Sequence, residues 1–162
     1  MPGDRVRAYL ALGSNVGDRH AFLQLAVDAL ARARGVHVVS VSRVYETAPV
    51  GGPPQDAYLN AVVSIDSELG PHELLALAHE IEASAARVRA IRWGPRTLDV
   101  DVLLFADTEI DDVDLTIPHP RMWERGFVLA PLRDVAPELV AADRAWEGVR
   151  DAELPLTIPP VV

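Results

Sequence analysis

The sequence predicts an α+β domain, and three observations carry that expectation. Runs rich in β-branched residues alternate with two stretches of helical periodicity, Gly, Pro, Asp and Asn break the runs apart, and 162 residues are about the size of one domain. A chain of this length buries roughly 70% of its unfolded surface on folding. A single domain over residues 1–162 is therefore expected.

The first strand is the apolar run Val6 to Leu12, which ends in the turn-rich Gly13-Ser14-Asn15-Val16-Gly17-Asp18, with Asp18 as a candidate N-cap. Phe22, Leu25, Ala26, Ala29, Leu30 and Ala33 recur at helical spacing, and Gly35 is placed to end that helix. His37 to Tyr45 reads as a strand, with Val36, Val38, Val39, Val41 and Val44 in or beside it. A Gly/Pro loop from Ala48 to Pro54 follows, and then a strand from Tyr58 to Leu69. The two strands are expected to pair antiparallel, with a loop of the kind that is usually functional or disordered.

Pro71 suits the first turn of a second helix, whose apolar stripe is Leu74, Leu77, Ala78, Ile81, Ala85 and Val88. Leu98 to Phe105 is a strand again, Met122 to Leu132 a short helix, and a weakly ordered tail is expected from Pro155. The order βαββαβ is that of the ferredoxin-like split βαβ arrangement, a mostly antiparallel sheet with helices on one face. That fold hosts many functions, so function has to come from the site.

Composition narrows the chemistry. The chain has no Cys, which removes disulfides, thiolate nucleophiles and Cys-ligated zinc. It has no Lys either, so a P-loop lysine and a Schiff-base lysine are excluded and all fifteen basic residues are Arg. A net charge of −9 argues against a nucleic-acid-binding protein. Arg87, Arg89, Arg92 and Arg96 nevertheless cluster within ten residues, which suits a small anionic ligand. No apolar stretch approaches the ~20 residues needed to span a bilayer, and the polar start is unlike a signal peptide. A soluble cytoplasmic protein, a monomer without membrane or nucleic-acid partners, is the expectation.

Asp99 and Asp101 stand two apart in a strand, so both carboxylates project from one sheet face while Val100 and Val102 project from the other. Two readings fit: a solvated polar face, or a pair whose mutual repulsion is offset by a bound cation such as Mg²⁺. The upstream Arg cluster favours the second, because arginines for phosphates beside carboxylates for magnesium are what nucleotide-dependent transfer needs. Gly13-Ser14-Asn15 lacks the spacing of a phosphate-cradling loop and reads as the turn into the first helix.

The segment Arg92-Trp93-Gly94-Pro95-Arg96-Thr97-Leu98-Asp99-Val100-Asp101 resembles the signature of the hydroxymethyl-dihydropterin pyrophosphokinases of folate synthesis. The resemblance extends over Leu12-Gly13-Ser14-Asn15 with Gly17-Asp18, over Tyr45-Glu46-Thr47 with Pro49, Gly51, Gln55, Tyr58, Leu59 and Asn60, over Arg87-Val88-Arg89, and over Pro118-His119-Pro120 with Arg125-Gly126-Phe127. It implies attack of a pterin hydroxymethyl oxygen on the β-phosphorus of ATP, giving the pterin diphosphate and AMP. It implies two Mg²⁺ ions on Asp99 and Asp101, and catalytic roles for Arg87, Arg89, Arg96, Asp99 and Asp101.

For the pterin ring the resemblance points to Thr47, Ala48, Pro49, Val50, Tyr58, Asn60, Trp93 and Phe127. Asn60 carries both a donor and an acceptor for the amide-like ring edge, and Tyr58 and Phe127 offer flat faces; without the resemblance both would more often be plain core aromatics, and with it the pterin site is favoured. For ATP it points to His79, Glu82, Arg89, Arg92, Trp93, Arg96, Val102, Leu115, Thr116, His119 and Arg125. His119 could donate to a phosphate or simply cap its loop. Arg87 and Arg89 are expected on a loop that closes over the substrates. The chain departs from the family at His79, where relatives commonly carry Gln, at Pro120, where some carry an aromatic, and by one residue fewer between Arg89 and Trp93 than some. A small-molecule or RNA-binding module and a metal-dependent phosphohydrolase are the competing functions; an acidic sheet face disfavours RNA, and hydrolysis gives Tyr58, Asn60 and Phe127 no task.

Overall fold

The structure is a computed structural model that describes residues 4–15, 17–47, 57–89, 98–141 and 146–160, with side chains in the third segment described as far as residue 86. Strand β1 (Val6–Ser14) leads into helix α1 (Arg19–Arg32). Asp18 caps that helix as expected, its carboxylate accepting from the Ala21 backbone N–H at 3.1 Å. Strands β2 (Val36–Val41), β3 (Tyr45–Thr47) and β4 (Tyr58–Ser67) precede helix α2 (Pro71–Arg89). Then come β5 (Asp99–Phe105), the short pair β6 (Ile110–Asp111) and β7 (Thr116–Ile117), helix α3 (Gly126–Val135) and β8 (Val149–Asp151).

The main sheet runs β5-β1-β4-β3-β8, with β2 on the same edge of β4 as β3, and every pairing is antiparallel. Its β1, β2, β4 and β5 form the expected split βαβ core with α1 and α2. Leu10, Leu12, Val100 and Val102 from the sheet pack against Leu23, Leu30, Leu74 and Ile81 from these helices. This layer is the major source of hydrophobic stabilisation.

The other face is not open. Tyr9, Val62 and Leu103 pack there against Met122, Val128, Leu129 and Leu132, so α3 covers the side that the one-face expectation left bare. The physical reason is visible in β4, which is buried without a break from Leu59 to Ile65 and must be covered on both sides.

The strand expected from His37 to Tyr45 is two strands. Between Val41↔Val63 and Tyr45↔Asn60 the first chain advances one residue more than its partner, and because the Ser42 N–H still donates to the Val62 carbonyl the β-bulge falls between Ser42 and Tyr45. The Ser42 hydroxyl accepts from the Val62 N–H at 2.8 Å and donates to the Arg43 carbonyl at 2.7 Å. A side chain thus replaces the backbone group that the bulge removes from the ladder.

Two further differences concern the ends. Helix α2 continues to Arg89, so the backbone of Arg87 and Arg89 forms its last turn and not a loop. The segment from Pro155, expected as a weakly ordered tail, is held on α1: Gln24 donates to the Thr157 carbonyl at 2.7 Å and accepts from its N–H at 3.0 Å, and His20 donates to the Pro155 carbonyl at 2.8 Å. Among the described residues no helix is long and apolar enough to cross a membrane.

Candidate functional site

On the α3 side of the sheet, β1, β3, β4 and β5 form the floor of a cavity of about 540 Å³, and the start of α3 forms a wall. Its size is in the range of small-molecule sites. Strand register explains which side chains meet there. Gly13 pairs with Asn60 on one side and Asp99 on the other, and Ala11 pairs with Val62 and Asp101. The row Asn60–Gly13–Asp99 therefore lays an amide and a carboxylate on either side of a residue with no side chain.

That gap is required. A Cβ on Gly13 would lie 3.0 Å from the Asn60 Oδ1. Gly13, expected in the turn into α1, is a cavity-floor residue inside β1; glycine within a strand run marks close approach of another group.

Asp99 and Asp101 face the cavity, because Val100 and Val102 are 2% and 3% exposed in the layer under the helices. Asp101 is exposed and Asp99 half-buried. Adjacent carboxylates open to solvent on one side form a hard-oxygen donor set that fits Mg²⁺, which retains several waters. The side-by-side placement expected from the Asp-x-Asp spacing is present.

At the opposite end of the floor stand Thr47, Tyr58 and Asn60. The Asn60 Nδ2 and the Thr47 Oγ1 are buried and have no hydrogen-bond partner among the described residues. A dehydrated donor without a partner costs about 1–3 kcal/mol, so two of them on one cavity point to a polar ligand that completes their bonding. Tyr58 and Phe127 also line the cavity, and the Arg125 guanidinium lies 5.7 Å from the Phe127 ring centre.

His119 joins the same cavity from the segment after β7. Its backbone N–H donates to the Leu103 carbonyl at 3.0 Å, which ties this segment to β5. The Arg121 N–H points at its Nδ1 at 3.4 Å, a geometry that assigns the neutral tautomer with hydrogen on Nε2. Burial pushes the imidazole below its usual 6.5, with Asp101 opposing and Arg125 adding to the shift. The ring is thus a neutral donor at pH 7.

Other expected nucleotide residues lie elsewhere. The Glu82 carboxylate accepts from the Val100 N–H at 2.8 Å, capping a donor on the sheet-edge strand β5. Val102 and Leu115 bury their side chains in the layer under α1 and α2, which leaves only their backbone for a ligand. His79 is exposed on α2, and Thr116 is half-buried on β7. Ala48, Pro49, Val50, Arg92, Trp93 and Arg96 lie outside the described residues, as do the side chains of Arg87 and Arg89. A separate surface cluster, His72 with Asp112 at 2.8 Å and Asp114 at 4.0 Å, is exposed and does not line the cavity.

The chain matches the sequence profile of the 7,8-dihydro-6-hydroxymethylpterin-pyrophosphokinases over residues 9–137. It is 49% identical over 146 residues to the 2-amino-4-hydroxy-6-hydroxymethyldihydropteridine pyrophosphokinase of Methylorubrum extorquens, covering 90% of each chain. The protein of the same name from Bacillus subtilis is 48% identical over 147 residues, with 88% of each chain covered. Among solved structures it is similar to the HPPK-DHPS of Plasmodium falciparum, with a TM-score of 0.66 and 16% identity over 83% of this chain and 40% of that one. The chain thus spans well under half of that longer protein, and the likeness bears on fold alone. On the profile match and these close relatives, the chain belongs to the 7,8-dihydro-6-hydroxymethylpterin-pyrophosphokinase family.

Proposed function

We propose that this chain transfers a diphosphate group from ATP to the hydroxymethyl oxygen of 6-hydroxymethyl-7,8-dihydropterin, giving the pterin diphosphate and AMP in folate synthesis, and that it does so with Mg²⁺ in the cavity on the α3 face. The observation that carries the site is the sharing of one cavity by Asp99 and Asp101 with the Asn60 Nδ2 and Thr47 Oγ1, two buried atoms without a partner among the described residues. The amide recognises the donor and acceptor edge of the ring, and Tyr58 and Phe127 bracket its faces.

Asp99 and Asp101 would hold the magnesium, expected as two ions, which supplies charge neutralisation and alignment of the triphosphate. The hydroxymethyl oxygen forms a bond to the β-phosphorus while the bond from that phosphorus to the α,β-bridging oxygen breaks. AMP departs with the bridging oxygen, and the hydroxyl proton is released, with Asp99 as the nearest acceptor from the floor. The neutral His119 Nε2–H and the Arg125 guanidinium are donors for phosphate oxygens at the outer wall. Arg87, Arg89, Arg92, Arg96 and Trp93 are proposed to enclose the nucleotide on the strength of the family signature, and the backbone of Val102 and Leu115, with Thr116, Glu82 and His79, to border it. The single-domain organisation, monomeric state and cytoplasmic setting expected from the sequence belong to the same proposal.

The test is formation of AMP and pterin diphosphate from ATP and 6-hydroxymethyl-7,8-dihydropterin, with and without magnesium. Product only with both metal and pterin is expected. Rapid ATP turnover without pterin would replace the proposal with metal-dependent hydrolysis.

A further inference from the structure

Thr47 and Tyr58 face each other as the last paired residues of the β3–β4 ladder, and both line the cavity. The ladder is thin here, since β3 and its outer neighbour β8 are each three residues long. Isolated short strands hold their geometry poorly without further contacts. Arg19, the first residue of α1, supplies one from the opposite side of the sheet.

Its Nη1 donates to the Ala57 carbonyl at 2.6 Å and lies 3.5 Å from the Glu46 Oε2. One guanidinium nitrogen therefore grips the residue before Thr47 and the residue before Tyr58. Arg150 of β8 donates from Nε to the other Glu46 oxygen at 3.2 Å, so Glu46 is held from two sides. Strand alternation sets Glu46 on the face opposite Thr47, and neither Arg19 nor Glu46 lines the cavity. Their side chains keep 27% and 21% of their exposure, so the contact is screened less than an open surface pair.

We infer that Arg19, acting through Glu46 and the Ala57 carbonyl, is a positioning residue for the ring-binding end of the cavity, fixing the spacing of Thr47 and Tyr58. This rests on the ring-binding role proposed above for that end. Arg19 makes no contact with ring or phosphate; it sets the width of the slot that the ring enters. Asp99 and Asp101 lie on β5, on the other side of β1 from β4.

The inference is tested by steady-state kinetics on Arg19→Gln and Glu46→Gln, with Arg7→Gln as a control. Arg7 pairs with Asp66 at 2.7 Å near the far end of β4, so its loss removes a comparable ion pair away from the cavity. Arg19→Gln should raise the KM for pterin about tenfold while kcat and the KM for ATP stay within about twofold, a split that general loosening would not give. Glu46→Gln should shift the same constant in the same direction by less, because the Ala57 bond survives. Binding of 6-hydroxymethylpterin, followed by its own fluorescence, should weaken in parallel, and Arg7→Gln should change neither measurement.

An unchanged pterin KM in folded Glu46→Gln and Arg19→Gln, or equal rises for both substrates, overturns the positioning role and leaves the reaction standing. A wild-type protein that neither binds pterin nor forms its diphosphate overturns the functional proposal and the positioning role with it.

Discussion

Replacing Asn60 by Leu should stabilise the free protein while abolishing its pterin site. Asn60 is 8% exposed, and its buried Nδ2 has no partner among the described residues. Dehydrating that donor costs about 1–3 kcal/mol, which Leu removes while keeping the branch at Cγ and a better strand propensity. The larger branch sits over Gly13, where the missing Cβ leaves space, so overpacking offsets only part of the gain. A net increase of about 1–2 kcal/mol corresponds to a rise in Tm of about 2–8 °C for a chain of this size.

The same change removes the donor and acceptor offered to the ring, so pterin affinity should fall about 100-fold or more. Thermal unfolding with and without pterin reads both effects. Saturating pterin at about 100 times its Kd adds about 2.7 kcal/mol to the wild type, and at the same concentration this increment should fall to about 0.4 kcal/mol or less in the variant. A lower Tm for the free variant would mean that the Asn60 amide is already satisfied in solution. A retained pterin shift would remove Asn60 from ring recognition.

Three further outcomes are expected. Asp101→Asn should leave the fold intact, since the residue is exposed, but lower magnesium-dependent turnover by about 100-fold or more, read by titrating activity with metal; wild-type activity would clear Asp101 of a metal role. Gly126→Ala would place a Cβ 2.6 Å from the Trp146 Cβ and Cγ, so the indole must leave the start of α3. Urea unfolding should show a loss of about 1–3 kcal/mol, and weaker pterin binding is expected because Phe127 is the next residue. His119 titrates below 6.5 in the folded protein because it is buried, so between that depressed value and 6.5 the unfolded chain binds more protons. Its contribution to stability therefore falls as pH drops through this window, and Tm profiles of wild type and His119→Gln should diverge there and run parallel above it.

Much of the candidate site follows local rules. Strand periodicity alone places Asp99 and Asp101 on one face with Val100 and Val102 opposite, and the structure has them so. Tyr58 and Asn60 obey the same rule on β4, and Asp18 caps α1 through a contact three residues along the chain. The role of Gly13 was hidden, because it depends on Asn60, a residue brought opposite by strand register and not by sequence distance. Arg19 was hidden for the same reason, its partners Glu46 and Ala57 being far along the chain.

By itself the sequence determined helix α1, the body of α2, the βαββαβ order and the faces that Asp99, Val100, Asp101 and Val102 take, since each is set by periods of two or 3.6 residues and by caps within one turn, whereas the last turn of α2 and the bounds of α3 were not legible. The tertiary structure alone decided that α3 covers the second face, that an extra residue between Ser42 and Tyr45 splits one strand into two, that Val149–Asp151 adds an edge strand, and that Gln24 holds the segment after Pro155. Each of these is a pairing between distant segments. Its energy comes from burying surface or satisfying backbone groups that do not meet until the chain has folded.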